Sequence, residues 1–411
     1  MSLPIQLRDI TRYHELLVKF SLVFYGLALW HKPSAIAAGS LLILVWIQCG
    51  GLLQLRSVIK EPLAMALLFL CGVLLLGLLW SDYPNTGRFR WDKYLGLLIF
   101  IPYLSLLNKD RLFWAAGALV TGYLGILLIG LYFYYFIDIQ GIPPLKMAYL
   151  HLSLAIGVGV LLASYWAGIS ENRRVFISMT VVAILLLFFQ LSLKGRGPLL
   201  ATAVTVYLLL FMLYRRQVKM MIGMMVLMAI LVANFSNNSS VFLERTSQVR
   251  SSIDMSLSGL EGENRTSVGE RIAYLKVGIY AIEQKPWFGY GTGMARKAFE
   301  ENAERRYKDV LNYSPGHSLQ YHNDLIEIGV YLGLLGISAY IFLLWGWFQS
   351  LRVRGLTVLG ATLVCIIFMA GLTDVILFYG QITSLLLAIT AIAIVWQREY
   401  GTLIRETERL R

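Results

Sequence analysis

The feature that most limits what this chain can become is a succession of apolar runs, each near twenty residues, separated by short polar connectors. A helix rises about 1.5 Å per residue and the hydrocarbon of a bilayer is about 30 Å thick, so roughly twenty apolar residues cross it. Runs of this kind lie at 14–30, 35–55, 61–80, 93–108, 113–137, 147–169, 174–193, 197–214 and 218–234, and again at 324–349, 356–375 and 380–397. The chain is 57% hydrophobic and 15% charged, where a soluble protein carries about a quarter charged residues; the bilayer is therefore the expected solvent. The first run has no small-residue cleavage pattern and reads as a retained helix. The expected fold is all-α: a polytopic membrane bundle of about 12 transmembrane helices.

Loop charges orient such a bundle. Twelve crossings put both termini on one side, and the connections on that side carry 17 Lys and Arg in seven short segments, against seven on the other. The richer side is expected to be cytoplasmic. The net charge of +12 is thus spread over membrane flanks and does not point to nucleic acid. Cys49, Cys71 and Cys365 all fall inside predicted spans at wide separations, a pattern of packing residues rather than of a disulfide framework or metal site.

Residues 235–321 break the apolar pattern and, by the same count, face away from the cytoplasm. The organisation expected is a nine-span region over 1–234, the outward loop 235–321, a three-span region over 322–397 and a tail over 398–411. In the loop, Ser236 to Asn264 is polar and irregular, Gly269 to Gln284 has amphipathic helical spacing, and Pro286 stops that helix. The glycine-rich run Trp287-Phe288-Gly289-Tyr290-Gly291-Thr292-Gly293 reads as a tight turn, and Met294 to Leu311 as a second helix. With 11 basic and 10 acidic residues, the loop has no general field for an anion; a few placed residues must supply one.

Several candidates for chemistry sit on the outward side. Arg88, Arg90 and Lys93 share one connection, and Lys194-Gly195-Arg196-Gly197-Pro198 forms another. Topology gains nothing from these charges. They are either snorkelling anchors or the lining of a site for an anionic substrate, since a guanidinium donates two parallel hydrogen bonds to phosphate. Arg271 lies early in the amphipathic loop helix, where a salt bridge with a neighbouring acid is the simpler role. His317 and His322 are two of five histidines, five positions apart where the chain re-enters the membrane. Asp324 and Glu327 have capping-box spacing, placing His322 and Asn323 at a helix start. A neutral imidazole there suits a general base, and no cysteine or acidic ligand stands at zinc spacing beside it. Asp374, close to hydrocarbon near the outer end of a span, is an expensive ionisable group of the kind that carries function.

Together these residues resemble the O-antigen ligase family of Gram-negative bacteria, whose superfamily also holds O-antigen polymerases and protein O-oligosaccharyltransferases. The resemblance is specific over about residues 190–336. It rests on an arginine at the outer end of a middle helix, Arg271 and the run Pro286 to Gly291 in the loop, the His322-Asn323 pair, and Gly329 with the Gly333–Gly336 stretch. It implies a glycosyltransferase of the C-type membrane architecture with no cofactor and no metal, facing the periplasm from the inner membrane. Its partners would be O-antigen on undecaprenyl diphosphate, lipid A–core oligosaccharide and membrane lipids. By the same resemblance Arg196, Arg271 and His322 are catalytic, where His322 takes a proton or orients a substrate. Gly195 departs from the Ser-Arg pair that the family often shows. A polymerase, a protein oligosaccharyltransferase and a lipid-linked glycan transporter remain as competing readings; the short polar end after Trp396 and the lack of internal repeats count against the last two.

Overall fold

Proline and asparagine set many of the helix starts. Pro33 and Pro62 stand in the first turns of α2 (Lys32–Gln48) and α4 (Pro62–Leu76), where a missing N–H costs nothing. Asn108 and Asn172 cap α6 (Lys109–Phe136) and α8 (Arg173–Ser192) by accepting from the Arg111 and Arg174 backbone N–H groups at 3.0 and 2.9 Å. The computed structural model describes residues 5–82, 91–215, 222–223, 226, 267–306 and 321–401. The expected ninth span, the first third of the loop, Arg88, Arg90 and His317 lie outside the described residues, apart from isolated positions in that span.

The remaining helices are α1 (Ile5–Ala28), α3 (Gly51–Val58), α5 (Phe100–Leu106), α7 (Tyr149–Ile169), α9 (Arg196–Tyr214), α10 (Ser267–Gln284), α11 (Ala295–Arg306), α12 (Asp324–Arg352), α13 (Thr357–Gly371) and α14 (Gly380–Tyr400). A two-residue hairpin, β1 (Gly141–Ile142) with β2 (Met147–Ala148), is antiparallel and closes the connection ahead of α7. The protein is a multi-pass, all-α membrane protein. Among the described residues seven helices are long and apolar enough to cross a bilayer. An eighth arises if α2 and α3 are one span, but these meet at 99°, because Gly50 takes a left-handed φ of 73° between them. Two further runs fold as shorter pieces: 93–108 opens with a 3-10 helix, Trp91–Ile99, and 356–375 stops being helical at Gly371.

Buried contacts join the layers. The Trp347 indole donates to Thr390 at 2.8 Å between α12 and α14, and the Gln190 amide donates to the Ser153 carbonyl and the Thr202 hydroxyl, at 3.0 and 2.9 Å, tying α7 and α9 to α8. The bundle has two distinct ends. At one, Arg111 pairs with Glu15 and Arg354 with Glu61, and the Ser350 hydroxyl accepts from the Leu63 N–H at 2.8 Å. At the other, the Gln381 amide donates to the Trp30 carbonyl, α14 and α12 begin, and the loop helices α10 and α11 sit.

The element that most shapes this second end is a break in α12. Gly333 adopts φ 61° and ψ −145° inside the helix, conformations that non-glycine residues avoid. Two intrahelical bonds are lost there: Val330 and Tyr331 lose their donors, and Leu334 and Leu335 lose their acceptors. The glycine-rich turn of the loop replaces all four. The N–H groups of Tyr290 and Gly291 donate to the Val330 and Tyr331 carbonyls at 2.9 and 2.8 Å, while the N–H groups of Leu334 and Leu335 donate to the Pro286 and Trp287 carbonyls at 2.7 and 3.4 Å. Gly289 makes the approach possible, since a Cβ on it would stand 2.6 Å from the Tyr331 carbonyl oxygen. The same turn docks on α4: Thr292 donates through its N–H to Gly77 at 3.1 Å and through its hydroxyl to Leu74 at 2.7 Å.

Candidate active site

Asn323 caps α12 by accepting from the Ile326 N–H at 3.1 Å, one position before the acid expected to do so. Glu327 instead accepts the Tyr321 N–H at 3.2 Å, and Asn323 also donates to the Leu372 carbonyl at 3.3 Å. Asp324 is buried and accepts the N–H groups of Ile376 and Leu377 at 3.2 and 3.3 Å. The start of α12 is thereby fastened to the chain between α13 and α14, and that chain carries Asp374.

His322 stands immediately before the cap with a left-handed φ of 49°, unusual for a residue with a Cβ. Its Nδ1 lies 3.1 Å from Asp374 Oδ1. Tyr379 donates its hydroxyl to Asp374 Oδ2 at 2.6 Å, and the Val375 N–H donates to Oδ1 at 2.9 Å. The His322 side chain is 33% exposed and that of Asp374 only 8%: the carboxylate is enclosed and the imidazole reaches out. Burial alone would raise the Asp374 pKa. The hydrogen bond and charge of His322, with the Tyr379 and Val375 donors, outweigh it and hold the carboxyl below its usual range. Burial and the adjacent Asp374 charge raise the Tyr379 phenol well above its ordinary value, so it remains a donor. On the loop side, Tyr274 of α10 stacks on the imidazole, with ring centroids 5.8 Å apart and planes 18° from parallel.

A narrow cleft opens beside this group. Arg271, Gly197, Pro198, Thr373, Asp374 and Tyr379 line it, with Leu150 and Leu154 as its apolar wall. Gly197 is small for a reason: a Cβ there would stand 2.9 Å from that of Thr373. Gly195 has the same constraint, because a Cβ would lie 2.8 Å from the Ser153 hydroxyl of α7.

The expected residues therefore converge in part. Arg271, His322, Asn323 and Asp374 share one place, and Arg196 is exposed at the first position of α9, one residue from the cleft lining. Lys93 joins from the other side, its Nζ 5.4 Å from the centre of the Phe378 ring next to Tyr379. Lys194 is exposed, its backbone N–H bonded to Gln140 at 2.8 Å, and its side chain is not part of the cleft lining. Three members were missed by the sequence reading: Tyr274, Tyr379 and His151, whose ring centre is 3.9 Å from that of Tyr379. A histidine in the first turn of an apolar helix, directly after an outward connection, was the available signal for the last. Among the described residues no three His, Cys, Asp or Glu side chains converge as metal ligands.

Fold and site define a class: a polytopic helical membrane protein with an arginine-lined cleft beside a carboxylate-oriented histidine at one end. Residues 181–341 match the family model described as O-Antigen ligase, a segment that includes Arg196, Arg271 and His322. That segment is similar to the O-antigen ligase family, whose members are glycosyltransferase-like enzymes. A search of curated proteins gives no match.

Proposed function

We propose that this protein is an O-antigen ligase, transferring O-antigen polysaccharide from undecaprenyl diphosphate to lipid A–core at the periplasmic face of the inner membrane. The observation that carries the reading is the His322–Asp374–Tyr379 relay opening beside Arg271. Asp374 holds Nδ1–H of the imidazole, leaving Nε2 as the base that removes the acceptor hydroxyl's proton. The hydroxyl oxygen attacks the anomeric carbon as the carbon–oxygen bond to the diphosphate breaks, and attack from the opposite face inverts that centre. Negative charge then grows on the departing phosphate. Arg271 and Arg196, with Lys93, Arg88 and Arg90 as further contacts, neutralise it without a metal ion. In this reading the chain makes about twelve crossings with both termini cytoplasmic, and the cleft faces the periplasm between the nine-span and three-span regions.

The test mixes purified protein with lipid-diphosphate O-antigen, with or without lipid A–core, in the presence of chelator. Product that forms only with lipid A–core is the expected result. Longer lipid-linked glycan made without that acceptor would instead identify a polymerase, and loss of activity in chelator would remove the metal-free mechanism. His322→Ala and Arg271→Ala are each expected to lower transfer by at least about 100-fold, in line with loss of a general base or of an anion-stabilising donor, with normal insertion.

A further inference from the structure

One ionisable group at the cleft has no part in the chemistry above. His151 packs against the Tyr379 ring, and its Nδ1 is buried and has no partner among the described residues. Leaving a ring nitrogen unpaired in this way is costly, and a leucine would fill the space without that cost. Nε2 is not among the buried atoms without a partner. Orphaned buried N–H groups are rarer than under-used acceptors, so the enclosed Nδ1 is the lone-pair nitrogen and the proton sits on Nε2. Its helix neighbours Leu150 and Leu154 line the cleft with Arg271, and Lys93 and Asp374 are within electrostatic reach of the ring.

We propose that His151 is a substrate-binding residue whose Nε2–H donates a hydrogen bond to a phosphate oxygen of the lipid diphosphate, between Lys93 and Arg271. The assignment deepens the transferase reading and rests on it for the nature of the ligand. Two cations supply charge for such an anion but hold it loosely in angle; a neutral, rigid donor braced on Tyr379 fixes the orientation of the leaving phosphate relative to His322.

The experiment measures binding of a short-chain isoprenyl diphosphate to the full-length protein in nanodiscs, alongside the corresponding isoprenyl alcohol. Replacing His151 with Phe keeps an aromatic ring and removes the donor; replacing it with Gln puts an amide N–H near the position of Nε2. The expected result is that His151→Phe weakens diphosphate binding about tenfold or more, that His151→Gln stays within about threefold of the natural protein, and that neither changes binding of the alcohol. Equal diphosphate affinity in the natural protein and the Phe variant overturns the assignment. So does equal weakening by Phe and Gln, which would mark a packing role, and so does failure of the natural protein to bind diphosphate. Binding of that pattern without glycan transfer would sink the transferase reading alone and leave His151 in place.

Discussion

At the scale of the residue, Asp374 is the hub, because one enclosed carboxylate satisfies three donors. Its lowered pKa sets a pH dependence with a definite sign. A depressed carboxyl contributes stability that is complete above the ordinary carboxylate value of about 4 and is lost as pH falls through the folded value. The natural protein is expected to melt higher than Asp374→Asn at neutral pH, with the gap closing below about pH 4; melting curves across pH 3–7 check this, and a gap independent of pH would refute it. Tyr379→Phe removes one charge-assisted hydrogen bond and is expected to lower transfer about tenfold, with insertion unchanged. This scale was only half legible in the sequence. Asp374 and His322 each stood out, one as a charge near hydrocarbon and one as a polar residue at a helix start, but 52 positions separate them and only folding makes them a pair. Tyr274 and Tyr379 were invisible because aromatic residues at a membrane surface are common and carry no spacing signature, while His151 left only its place in the first turn of an apolar helix.

At the scale of the element, the glycine-rich turn and the break in α12 are two halves of one joint. The turn was readable from its glycines and Pro286, and the helix around Gly333 from its apolar run. That they exchange backbone hydrogen bonds was not, since a φ of 61° at Gly333 leaves no mark on hydrophobic periodicity. Gly333→Ala is expected to cost about 2 kcal/mol or more from the backbone conformation alone, with additional loss from contact with Pro286 and Phe288. Thermal unfolding in detergent, read beside a neutral control such as Gly72→Ala, where a Cβ meets nothing within 4 Å, measures it. Equal melting of the two variants would show that the joint contributes nothing.

At the scale of the whole molecule, the two ends of the bundle are chemically unlike, one closed by arginine–glutamate pairs and the other bearing the cleft. Charge counting gave an expected orientation for those two ends, because loop composition is a property of sequence; it could not anticipate that the 35–55 run would bend by 99° at Gly50. In a background with its native cysteines replaced, Lys194→Cys is expected to react with a membrane-impermeant maleimide from the periplasmic side, and Arg173→Cys only after the membrane is opened. The reverse pattern would invert the orientation and put the cleft in the cytoplasm. The joint in α12 also bears on how such a chain is made. Segments leave the ribosome in order, and the turn at 286–292 comes out before the helix it completes. A broken helix entering lipid with four unpaired backbone groups would meet a barrier of several kcal/mol for each. Because its partner has already been synthesised, α12 can be received by a waiting template, and biosynthetic order becomes part of what makes an interrupted helix tolerable.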